Sequence, residues 1–365
     1  MKPKILVPVL FECCRIVKGY SRSLICDIQR SSFRFIPNEI ADMLIETKGM
    51  TVEQIKRKYN NEFDQIIQEN FDLLEMEEIL FFTENPEWFT TLNLEWDEPT
   101  ELTNAIIDID PEHKFDFASI WDQLGELGCE HIQIRIYKKI EIELLESILC
   151  SIGGKRIISV ELILPFNEGI HEQDWLKFLL NQPRIVSIIC HSSPDNKLVQ
   201  RNPNYFGDLY FMKEILTGNK HCGKIGPGIY SINIKTFTES LSHNSCLNRK
   251  ISIDLDGSIK NCPSMAESFG NIQETKLKEV LANSNFKKFW NIAKDQIDIC
   301  KECEFRYICT DCRAFIEKPN DKYSKPLKCG YNPYTCEWED WSTSPLKQQA
   351  IDFFGFRNIL PEFKK

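Results

Sequence analysis

The chain has 365 residues, 42% of them hydrophobic and 27% charged, which leaves room for a substantial core in two or three domains and excludes a disordered polymer. Its formal charge of -10 argues against a nucleic-acid partner, whose grip would rest on clustered Lys and Arg at phosphates. No apolar run approaches the length of a spanning helix, and the start has no long apolar core with a small-residue cleavage site, so no membrane association and a cytoplasmic location are expected.

From the N-terminus, Arg15 to Asp27 and Phe33 to Ile36 read as two strands, joined through the polar Gln29-Arg30-Ser31-Ser32 stretch. Pro37-Asn38 starts a helix, Thr51-Val52-Glu53-Gln54 opens a second with capping-box spacing, and Glu62 to about Glu75 forms a third. A strand over Glu78 to Phe82 ends the unit. The pattern over 1–90 fits a winged-helix-like domain, and equally a small packing domain.

A different rhythm runs through 91–240. Strands are expected at Ala105 to Ile109, His131 to Tyr137, Arg156 to Leu164 and Arg184 to Cys190, with helices such as Phe117 to Leu127 and Gln173 to Leu180 between them. This βα repetition implies parallel strands in an α/β fold, and the stretch is too short for a complete eightfold barrel of about 250 residues. A truncated barrel is the expected form. Phe206 to Leu216 reads as helical, and Pro194 to Gly228 is loop-rich. Gly218, Gly223 and Lys224 have G-x-x-x-x-G-K spacing, but Ile225 stands where a phosphate loop needs Ser or Thr, and Pro227 blocks the helix that should follow.

The cysteines carry the most information. In a reducing compartment a count of 15 points to metal ligation rather than disulfides. Cys26, Cys129, Cys150 and Cys190 sit in apolar patterns and read as small buried hydrophobes. Cys246 and Cys262 flank a strand pair turning at Asp256-Gly257, which brings both sulfurs to one end of a hairpin. Two helical patterns follow between Leu277 and Gln296; then Cys300, Cys303, Cys309 and Cys312 arrive within thirteen residues, and Cys329 after them. Such short steps plus distant returning thiols suit iron-sulfur clusters. Zinc is the alternative, either through Cys309, Cys312, Cys329 and Cys336 or as two sites in which Cys246 and Cys262 complete Cys300 and Cys303.

Cys246-x10-Gly257-x4-Cys262, then Cys300-x2-Cys303-x5-Cys309-x2-Cys312, then Cys329, together with Phe269-Gly270-Asn271-Ile272, resemble the SPASM domain of radical SAM peptide-modifying enzymes. The resemblance implies two 4Fe-4S clusters, one on Cys246, Cys262 and Cys312 and the other on Cys300, Cys303, Cys309 and Cys329. The family's last short step has three intervening residues where this chain has two, Thr310 and Asp311. The first cluster also needs a fourth ligand, for which Cys222, Cys336 or a substrate group is available. The Cys-x3-Cys-x2-Cys motif that chelates SAM is missing, and Asp110-Pro111-Glu112-His113-Lys114-Phe115 stands after the first barrel strand instead. A SAM cofactor is therefore not expected.

With Cys14 to Ser23, Asp27 to Arg30 and Ile36 to Asn38, the whole resembles the SPASM-domain peptide maturases of grasp-with-spasm systems. That resemblance implies a partial (β/α) barrel of radical SAM type between a winged-helix-like precursor-peptide domain at 1–90 and an iron-sulfur SPASM domain at 241–345, with a tail at 346–365. It implies a role in maturing a ribosomally synthesised, post-translationally modified peptide, with the precursor peptide and an ATP-grasp ligase as partners. A zinc scaffold and an enzyme using an open cluster position are the competing expectations. No catalytic residue is singled out, since His221 and His243 near the module read as surface or packing residues.

Overall fold

The computed structural model describes residues 6–113, 115–199 and 207–359. Lys114 of the expected SAM-motif loop, Phe206 of the expected helix, and 360–365 of the tail lie outside them.

The N-terminal unit is built on β1 (Val7–Leu10), β2 (Cys14–Lys18), β3 (Ser23–Asp27), β4 (Ser32–Ile36), α1 (Asn38–Glu46), α2 (Val52–Lys58), α3 (Asp64–Met76) and β5 (Leu80–Thr83). The run expected as one strand from Arg15 to Asp27 is two strands, because the chain turns back where Gly19 N–H donates to Arg22 O at 3.0 Å. β2, β3 and β4 form an antiparallel sheet in that order, and β1 pairs separately with β5. The expected capping box is present: Gln54 N–H donates to Thr51 Oγ1 at 3.2 Å, and Thr51 N–H to Gln54 Oε1 at 2.8 Å. Ile25, Ile40, Met43, Ile55, Ile67, Phe71 and Leu74 bury the helices against the sheet, each stabilising by roughly 1.5–3 kcal/mol.

The central sheet uses β6 (Asn104–Ile109), β7 (His131–Ile136), β8 (Ser159–Pro165), β9 (Ile185–His191), β10 (Lys197–Val199) and β11 (Asp208–Phe211), with crossovers through α4 (Phe117–Glu126), α5 (Ile142–Leu149) and α6 (Glu172–Asn181). The expected strands run parallel as β6, β7, β8 and β9. Where a helix was expected over Phe206 to Leu216, β11 instead pairs in parallel with β9 and antiparallel with β10, so tertiary pairing overrides local propensity.

After α7 (Ile234–Ser240), β12 (Lys250–Ile253) joins the opposite edge parallel to β6, and β13 (Ile259–Lys260) pairs with β12. The open order is β10-β11-β9-β8-β7-β6-β12-β13. The first cysteine hairpin is thus part of the large sheet. Trp121, Leu124, Leu145, Trp175 and Phe178 from the crossover helices pack with strand residues into one core.

The remainder contains α8 (Leu277–Ala282), the two-residue strands β14 (Tyr331–Asn332) and β15 (Glu337–Trp338), and α9 (Gln348–Phe353). Of the two helical patterns expected between Leu277 and Gln296, α8 forms as an α-helix; the second stretch is a series of turns ending in a 3-10 turn at Lys294–Gln296, and it still buries Phe286 and Trp290.

Candidate metal centre

The β12–β13 connection has three loop residues, Leu255, Asp256 and Gly257, rather than the expected two. Gly257 N–H donates to Asp254 O at 2.9 Å, Asp254 N–H donates to Ser258 O at 2.9 Å, and Gly257 has φ +85°. A turn followed by one left-handed residue is the usual three-residue hairpin, and it calls for glycine there. Asn244 Oδ1 accepts from the N–H groups of Cys246 and Leu247 at 3.0 and 2.8 Å, while Asn261 Nδ2 donates to Leu247 O and Lys250 O at 3.0 and 2.7 Å. Two buried asparagines thereby fix the approach to Cys246 and the exit to Cys262.

The thiols gather as two groups. Cys262 has Cys222, Cys246 and Cys312 as its interacting thiol neighbours, and Cys312 has Cys246 and Cys222. Gly223 brings the chain up to this group: at φ +77°, a Cβ there would stand 2.8 Å from Cys312 Sγ. Lys328 holds the same loop, donating to Cys222 O at 2.7 Å and also to Lys220 O. Burial pushes the Lys328 ammonium down to about 8.

In the second group, Cys300 and Cys309 each interact with Cys329, and Cys303 with Cys300 and Cys309. Lys294, 4% exposed, donates to Cys309 Sγ and to Thr310 O, both at 3.2 Å. Lys250 donates to Cys246 Sγ at 3.6 Å in the first group. Burial pushes the thiols of Cys300 and Cys312 up to about 12, so at neutral pH each stays protonated until a bound cation displaces the proton. The loops have little regular structure, and their buried carbonyls are met by lysines: Lys325 donates to Tyr331 O at 2.7 Å, and Lys347 to Leu327 O at 3.0 Å and to Cys329 O.

All seven cysteines expected in the site thus fall into one group or the other, and Cys222 joins the first. Cys336 lies instead beside Tyr331. Cys312 packs with Phe315 and Leu327, whereas Cys309 and Cys329 pack with Phe305 and Ile308, which separates members of the single four-thiol zinc set. Spacing bears on the same choice. A zinc ion with bonds of about 2.3 Å keeps its four sulfurs about 3.8 Å apart. Among the described residues, the only three Cys, His, Asp or Glu whose ligand atoms all lie within 4.8 Å of one another are Cys13, Cys14 and Asp27, outside both groups.

Of the other cysteines, Cys26, Cys129 and Cys190 are buried as expected, but Cys150 is exposed at the end of α5, donating to Ser147 O at 3.0 Å. His221 bonds Thr217, and His243 bonds Ser242 and packs on Trp96. One face of the central sheet carries a polar network that the sequence reading missed. Arg135 binds Asp108 through two hydrogen bonds, 2.6 and 2.7 Å, with both side chains buried. Arg135 also lies within electrostatic reach of the Cys222 sulfur. The polar His131, Gln133 and Arg135 at every second residue of β7 were the available signal.

The N-terminal sheet is bound to the second group directly. Arg22 Nε donates to Glu304 Oε1 at 2.7 Å, Tyr331 Oη donates to the same oxygen at 2.6 Å, and Tyr20 N–H reaches Glu302 O at 2.8 Å. Val17, Leu24, Cys26 and Ile28 share an apolar cluster with Phe305, Ile308, Cys309 and Cys329.

Among known structures, Streptococcus suis SuiB bound to its precursor peptide SuiA aligns at 9% identity and TM-score 0.40, covering 87% of this chain and 98% of that one. SuiB bound to S-adenosylmethionine aligns at 12% identity and TM-score 0.35, covering 88% and 99%. No curated protein matches the chain. No helix among the described residues is long and apolar enough to cross a membrane. Residues 245–304 match the SPASM family, an iron-sulfur cluster-binding domain, so the chain carries such a domain over a span that holds Cys246, Cys262, Cys300 and Cys303 and stops short of Cys309, Cys312 and Cys329.

Proposed function

We propose that the chain binds two 4Fe-4S clusters, one through Cys222, Cys246, Cys262 and Cys312 and the other through Cys300, Cys303, Cys309 and Cys329, and serves in maturing a ribosomally synthesised peptide alongside an ATP-grasp ligase. The observation that carries the metal part is the gathering of eight thiols into two groups of four, in neither of which three sulfurs all lie within 4.8 Å of one another. Lys250 and Lys294, aimed at sulfurs, suit a cluster whose potential is set by hydrogen bonds to its ligands. When bound, the clusters would supply electron transfer or order to the loops. With Cys222 as fourth ligand the first cluster has no open position, which favours support and docking over catalysis at iron.

The precursor peptide is assigned to the winged-helix-like unit at 1–90. Among the described residues β2 and β4 pair only with β3, so each has an edge to which an extended peptide can add as a strand. A cavity of about 390 Å³ opens beside β2, lined by Leu10, Ile16, Leu44, Phe71, Leu80 and Phe89, and offers pockets for apolar side chains of the added strand. Anaerobically purified chain should hold about eight iron and eight sulfide and absorb broadly near 400 nm. Colourless protein containing only zinc would overturn the cluster assignment. Incubating precursor and ligase with and without this chain, and reading product by mass, tests the maturation role; identical product at identical rate would sink it.

A further inference from the structure

We infer that Cys13, Cys14 and Asp27 form a separate site for one thiophilic divalent cation of the zinc class, in the N-terminal unit and independent of the clusters. The geometry comes from the sheet. Cys14 opens β2 and is the direct cross-strand partner of Asp27, which closes β3, and such partners have Cβ atoms about 4.5–5.5 Å apart. Cys13 lies one residue before the strand, in a turn closed by Cys14 N–H donating to Phe11 O at 2.8 Å, so it escapes the alternation that would send its side chain to the opposite face. The three ligand atoms lie within 4.8 Å of one another, the compact spacing that one tetrahedral ion requires and that neither group of cluster thiols shows.

The surroundings are built for the ion. Asp27 Oδ1 accepts from Gln29 N–H and Arg30 N–H at 3.0 and 2.8 Å, and Oδ2 faces Arg30 Nε at 2.7 Å. A carboxylate offers about four lone-pair positions, so three are used in orienting it and one on Oδ2 is left for a metal. Cys14 and Asp27 are 3% and 5% exposed. Burial and the Asp27 charge raise both thiols, so without a cation they stay protonated. Replacing the two thiol protons by one divalent cation leaves the charge of the site, including the Asp27–Arg30 pair, unchanged. Two sulfurs and one oxygen complete three of four tetrahedral positions. The last falls to water or to a donor entering from the cavity beside β2, which Cys14 also lines.

The test is equilibrium dialysis of the anaerobically prepared full chain against Zn(II), with zinc and iron measured on the same sample. Wild type should take up one zinc per chain without loss of iron. The Cys13→Ser/Cys14→Ser chain should take up none while keeping its iron, and Asp27→Asn, which trades an anionic ligand for a neutral amide, should bind at least about 10–100-fold more weakly, the loss that altering a metal's outer partners alone causes. X-ray absorption at the zinc edge of wild type covers the case in which the double variant folds poorly: two sulfurs at about 2.3 Å with oxygen or nitrogen completing the shell supports the site. Four sulfurs, no uptake by wild type, or undiminished uptake by the double variant would overturn it. Because iron is read separately, failure here leaves the cluster assignment standing, and failure of the clusters leaves this site standing.

Discussion

The two thiol groups are assembled in opposite ways. Cys300, Cys303 and Cys309 come from one ten-residue knot, and only Cys329 arrives from elsewhere. Cys222, Cys246, Cys262 and Cys312 come from a loop, the two ends of a hairpin in the large sheet, and a position three residues past the knot. The knot is a local structure that needs a core to form around, whereas the Cys222 group is held by a framework that exists without it. A metal therefore does more folding work in the knot.

Paired variants test this difference most strongly. Cys309→Ala should cost about half the bound iron and open residues 300–312 to protease, whereas Cys222→Ala should lose iron from the first group while the sheet stays protected. Equal protease sensitivity in the two would erase the distinction. Next in size, Arg135→Met leaves Asp108 buried without its partner, and the sheet beside Cys222 should lose about 3–5 kcal/mol in denaturant unfolding. A loss below 1 kcal/mol, as for an exposed pair, would show that the framework is looser than its geometry suggests. Gly223→Ala disturbs the first group without deleting a thiol. The left-handed backbone alone should cost about 1–2 kcal/mol, and the contact with Cys312 Sγ should lower iron occupancy in the first group only. The smallest effect is expected from Thr51→Ala, which removes a cap remote from both groups. It should lower stability by about 1 kcal/mol by thermal unfolding and leave iron unchanged.

The same contrast explains what could be read in the sequence. The knot was legible because its ligands are close together, and Gly257 was legible as a turn residue, although the turn is one residue longer than its Asp-Gly pair suggested. Cys222 was visible only as one of three possible fourth ligands, because its neighbours lie 24 to 90 residues away and it sits in a loop whose spacing resembled a phosphate site. The βα rhythm announced β6 to β9, but nothing local in Lys250–Ile253 says that it pairs with Asn104–Ile107. The segment containing β11 showed the reverse failure: it read as helical, and hydrogen bonding to β9 prevailed. Cys13 and Cys14 drew no reading of their own, because their relation to Asp27 depends on the β2–β3 register, which was hidden while Arg15 to Asp27 read as a single strand.

The parallel pairing of β12 with β6 bears on how the molecule can be divided. A fragment ending at 240 would leave the whole length of β6 unpaired on one side, and a bare, apolar strand edge invites self-association. Such a fragment should precipitate when expressed alone, and a fragment starting at 241 should lack the template its first strand needs, so the two halves are best produced together or as a split pair that reassembles at that edge.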